Sequence, residues 1–165
     1  MRAAGIALSL AVALAFQTSL ARFFAPGANL VDLVFVAVVY IALIGGPAAG
    51  LVTGAIAGLA QDALAATGSS AVAVGAGVVS ARSIIGIGGL AKTVVGFFAG
   101  IIGSQFIVAR PLPRALVFFT AAVAHAIIFA GLYRVLDSGH AQTSYGAIFS
   151  QAGASALVGV LIFQV

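Results

Sequence analysis

The chain is built from apolar blocks of helix length separated by short polar or Gly/Pro-rich breaks. Runs such as Val34 to Ile44 and Ala115 to Leu132 are continuously apolar. A membrane barrel strand would instead alternate over about 10 residues, so the pattern predicts helices. The first block runs from about residue 3 to 21 and ends at a break from Arg22 to Asn29 that holds Pro26 and Gly27. A second covers roughly 30 to 45, and Gly45-Gly46-Pro47 then makes a tight turn with Pro placed to start the next helix. The third block spans about 48 to 65, the fourth about 88 to 108, and the fifth about 114 to 135. A sixth begins near 145 and is still apolar at Val165, which leaves room for a longer natural chain. Residues 67 to 87 are apolar but small, rich in Gly and Ser, and broken by Arg82; they read as a surface or interfacial segment on the non-cytoplasmic side.

Composition turns this pattern into a class. Of 165 residues, 63% are hydrophobic and 6% charged, whereas soluble domains carry about 25% charged residues. Blocks near the ~20 residues that a bilayer requires therefore predict an all-α polytopic integral membrane protein. The expected form is one domain over residues 1–165 with about six transmembrane helices. Met1-Arg2 before Ala3 to Phe16 has the look of a signal peptide, but the later apolar blocks favour a retained first span. Cysteine is absent, which excludes disulfides, thiol nucleophiles and thiolate metal sites. The net charge of +4 comes from scattered residues, so it indicates lipid headgroup contact and not nucleic-acid binding. Arg2, Arg110 and Arg114 fall on one side of the membrane and Arg22, Arg82 and Arg134 on the other. Arg110 and Arg114 share the short Arg110-Pro111-Leu112-Pro113-Arg114 loop, where the positive-inside rule is strongest, so both termini are expected inside.

Two rows of small residues give the packing. Gly50, Gly54 and Gly58 recur every fourth residue, and the next step is Asp62. On the fourth block Gly88, Lys92, Gly96, Gly100 and Ser104 do the same. Small residues at this spacing let helix backbones approach closely in lipid. The two blocks run antiparallel, which puts Asp62 and Lys92 at similar depth near the outer surface. The rows are expected to pack together, with Asp62 and Lys92 forming an ion pair, since an unpaired intramembrane charge is costly. The alternative is that each snorkels separately to the interface.

The remaining polar residues are sparse. Asp32 is a first-turn carboxylate favoured by the helix dipole, or else a partner of Arg22 or of the Asp62–Lys92 cluster. Gln17, Gln61, Gln105 and Gln151 are candidates for interhelical hydrogen bonds. His125 lies mid-span with no second His nearby, which reads as a packing histidine and not a metal ligand. Ala3, Ala7, Ala11 and Ala15 form another small-residue row on the first span, facing either an internal neighbour or a partner helix. No G-x-S-x-G or P-loop pattern occurs, no cofactor is called for, and nothing argues for an enzyme.

The run Gly46-Pro47, Gly50, Gly54, Gly58, Asp62 resembles the signature of the rod shape-determining MreD family. Asp32 opening the second span fits as well, although Val31 stands where that family often has proline. Gly68-Ser69 and Gly88-Gly89-Leu90-Ala91 are also similar. The resemblance implies a non-enzymatic scaffold of the bacterial inner membrane, part of the cell-elongation machinery. Implied partners are a single-span MreC-like protein, a RodA-type glycosyltransferase with a class B penicillin-binding protein, and, indirectly, actin-like MreB. The arrangement is also similar to the S component of energy-coupling-factor vitamin transporters. A vitamin-binding transport subunit, with Asp32, Asp62 and Lys92 facing an outer pocket, is therefore the competing expectation.

Overall fold

A computed structural model describes residues 3–23, 31–67, 78–79, 85–105, 111–136, 142–143 and 145–163. It is an α-helical protein: α1 (Ala3–Phe23), α2 (Leu33–Thr67), α3 (Ile87–Gln105), α4 (Pro111–Leu136) and α5 (Tyr145–Phe163). Two short strands, β1 (Val78–Val79) and β2 (Gln142–Thr143), pair antiparallel. Three stretches are long and apolar enough to cross a membrane, Leu33–Leu64, Ile87–Gln105 and Leu112–Leu136. Gly5–Ser19 and Ile148–Ile162 are shorter apolar helices. Large side chains such as Leu8, Phe16, Leu116, Ile127 and Leu157 stand exposed, as lipid-facing residues do. The chain is a helical membrane protein.

The expected second and third spans form a single helical element, α2, broken at Gly46. There the backbone takes φ 82°, ψ −175°, a conformation that a Cβ would disfavour. A Cβ built on Gly50 would meet the Ala42 side chain at 2.8 Å, although eight residues of straight helix span about 12 Å. The chain therefore doubles back, and residues 33–45 and 47–67 form two antiparallel arms. Pro47 stands at the first position of the second arm, where its missing N–H costs nothing.

The first arm is the centre of the molecule. Val34, Val36, Val38, Val39, Ile41 and Ala42 are all buried, and a helix apolar on every side belongs inside. One side receives α1 through Ile6, Leu10, Ala13 and Leu14. Another receives Val95 and Ala99 of α3, Phe118 and Ala122 of α4, and Ala152 and Ala156 of α5. The hydroxyls of Thr53 and Thr93 stay within their own helices, donating to the carbonyls of Ala49 and Gly89, both at 2.6 Å.

The expected Arg110–Arg114 loop is shorter than its sequence suggests, because α4 already starts at Pro111. Proline is tolerated in a first helical turn, where the N–H groups have no intrahelical partner. Most of residues 67–87 lie outside the described residues. Val78 and Val79 pair with Thr143 and Gln142, so this segment meets the α4–α5 connection at the end of the bundle where α3 begins.

Candidate functional site

The two glycine rows meet backbone to backbone. A Cβ on Gly50 would strike the Gly96 backbone, one on Gly54 the backbone of Lys92 and Thr93, and one on Gly58 the Gly89 backbone. On the other helix Gly96 faces Gly50, and Gly100 faces Gly46 and Pro47. Gly103, which spacing did not single out, sits against Leu43 in the same way. Contacts this close require glycine on both helices, and they run the length of the α2–α3 seam.

The charges sit at one end of this seam, in an arrangement that differs from the expected one. Lys92 Nζ lies 2.9 Å from Asp32 Oδ2, with side-chain exposures of 5% and 9%. The anticipated Asp62–Lys92 pair is thus replaced by Asp32–Lys92. Side chains on a helix lean toward its N-terminus, so Lys92 reaches toward the end of α3 beside which α2 begins. Asp62 lies about one turn further along that row, against Gly88, and has other partners. Its Oδ2 accepts the Gly86 N–H at 2.9 Å and the Gly89 N–H at 3.1 Å. Gly86 caps α3, its carbonyl accepting the Leu90 N–H at 2.9 Å, with its own φ at 105°. Asp62 therefore neutralises the first turn of α3 from a neighbouring helix, satisfying donors left over at a helix start. A Cβ at Gly88 would collide with this carboxylate.

Asp32 serves two roles that the sequence left as alternatives. Its Oδ1 accepts the Phe35 N–H at 2.9 Å and its carbonyl accepts the Val36 N–H at 3.0 Å, so it caps α2. Its other carboxylate oxygen holds Lys92. Gln17 of α1 completes the cap, its Oε1 accepting the Val34 N–H at 3.1 Å. The suggested contact with Arg22 lies outside the described side chains.

The other glutamines diverge. Gln61 Oε1 is buried without a hydrogen-bond partner, and Gln105 is exposed at the end of α3. Gln151 borders a small cavity with Asp32, Phe35, His125, Ile148 and Ser155. His125 stacks at 5.0 Å from the Phe35 ring and 6.0 Å from Phe129, and its Nε2 is buried without a partner. Among the described residues no group of three His, Cys, Asp or Glu side chains could hold a metal ion. A larger space of about 370 Å³ between α3 and α4 is apolar, walled by residues such as Val94, Phe98, Val117 and Ile128.

The α1 alanine row stays out of internal packing. Ala7, Ala11 and Ala15 are exposed, while α1 meets α2 through Ile6, Leu10 and Leu14. The Ala3 side chain lies outside the described ones. Comparisons with protein-family profiles, with curated proteins and with solved structures found no match.

Proposed function

We propose that the chain is a non-enzymatic scaffold of the bacterial inner membrane, acting in a rod or elongation complex that directs peptidoglycan synthesis. In this reading the two arms of α2 each cross the membrane, so that with α1, α3, α4 and α5 the chain makes six crossings, an arrangement similar to a transporter S component. The observation that carries the reading is the internal neutralisation of the charges. A ligand-binding subunit turns its convergent polar groups toward an accessible pocket. Here Lys92 is taken up by Asp32 and Asp62 by the amides of α3.

The outward alanine row of α1 is the docking face that a scaffold of this kind requires, and an MreC-like single-span helix is the proposed occupant. A RodA-type glycosyltransferase with its penicillin-binding protein, and MreB indirectly, would join through that complex. The test is co-purification of the full chain from native membranes with an MreC-like single-span protein. Replacing Ala7, Ala11 and Ala15 by Leu together should abolish that recovery while the protein still inserts and folds. Recovery with ATPase subunits and a bound vitamin would instead establish the transport reading.

A further inference from the structure

His125 is 6% exposed, and its Nε2 has no hydrogen-bond partner. Buried polar atoms are rarely left so, because desolvation without a compensating bond is unfavourable. Beside the ring is a cavity whose polar walls come from separate parts of the bundle: Asp32 before α2, His125 on α4, Gln151 and Ser155 on α5. It offers ≈ 10 Å³ to the centre of a water-sized sphere, and one water needs about 10–15 Å³ and a few polar partners.

The surroundings select the chemistry of the occupant. A cation would face the Lys92 ammonium, which already neutralises Asp32 at 2.9 Å. An anion would face the Asp32 carboxylate itself. An apolar group would leave Nε2 unsatisfied. What remains is a neutral molecule of one heavy atom that both donates and accepts.

We propose that this cavity binds a single structural water shared by His125 Nε2 and the Asp32 carboxylate. Asp32 keeps the capacity for it, because a carboxylate has about four acceptor sites and the Phe35 N–H and Lys92 occupy two. With the imidazole proton on Nδ1, the water donates to Nε2 and to Asp32 and accepts from the Ser155 hydroxyl. The Asp32–Lys92 pair then becomes the centre of a polar network reaching α4 and α5 as well as α2 and α3. This assignment stands independently of the scaffold reading.

The test uses the full chain in lipid nanodiscs with ¹⁵N-labelled histidine. The sequence holds two histidines, so His140→Gln leaves His125 as the only imidazole signal. Magnetisation transferred from water protons should reach the His125 ring. Ser155→Val, which fills the cavity and removes one partner, should abolish that transfer and shift the Nε2 resonance. Absence of transfer in the Ser155 protein, with intact α4 backbone signals, overturns the proposal. Transfer unchanged in Ser155→Val overturns it too, since the water would then lie elsewhere.

Discussion

The α2–α3 seam and the α4–α5 half of the molecule use the same residue type to opposite ends. Along the seam, Gly50, Gly54, Gly58, Gly96 and Gly100 each press on backbone of the facing segment. In the other half, Gly131, Gly146 and Gly153 have nothing within 4 Å of where a Cβ would stand, and Gly159 faces the side-chain ring of Phe118 and not a backbone. Abundant glycine is therefore not itself a packing signal in a membrane helix. A row at spacing four is one when a second row of matching register faces it. The seam also carries both neutralised carboxylates, while the α4 side keeps an unpartnered imidazole nitrogen. One half is closed by backbone contact and charge, the other by side chains around small spaces.

The sharpest break in this contrast comes from Lys92→Met. It leaves Asp32 buried and uncompensated, a loss of about 3–5 kcal/mol. Adding Asp32→Asn, which keeps a capping oxygen, should recover most of that loss; both are read from unfolding free energies in bicelles. Failure of the double variant to recover would mean that the pair is not the partner set that matters.

Next in size is Gly54→Leu, which forces the second arm of α2 away from α3 and should cost about 1–3 kcal/mol or more. Ala124→Leu, placed in the apolar space between α3 and α4, should stay within about 0.5 kcal/mol in the same assay. Equal effects at the two sites would erase the distinction between the halves. Asp62→Ala should cost less than the loss at the seam but more than the change at Ala124. Loss of a cap costs about 0.5–2 kcal/mol, and hydrogen exchange should accelerate at Gly86 and Gly89 while the centre of α3 remains protected.

The seam was legible because its cause is local: the absence of side chains at Gly50, Gly54 and Gly58 is itself what lets the helices meet. The turn at Gly45-Gly46-Pro47 was legible for a similar reason, since few other residues accept a positive φ before a proline. The partner of Lys92 was not. Depth along the membrane made Asp62 and Asp32 comparable, and the outcome turned on the lean of the lysine and on competing amides at Gly86 and Gly89. Neither is visible in spacing, although a Gly-Gly pair at a helix start does mark a place where something approaches closely. The cavity by His125 was hidden altogether, because Asp32, His125, Gln151 and Ser155 are far apart in sequence and only the packing of α4 and α5 joins them.

The bend at Gly46 has a mechanical consequence for the bundle. Residues 33–45 rise only about 20 Å along their helix, against a hydrocarbon thickness of about 30 Å. Nearly all of this arm is enclosed by its neighbours, so its short length is hidden from lipid. Longer elements stand around it: residues 47–67 rise about 32 Å and α4 (Pro111–Leu136) about 39 Å by the same measure. In a bilayer of ordinary thickness α4 is the element that has to tilt or extend beyond the acyl chains. Hydrophobic mismatch thus falls on α4 and not on the hairpin.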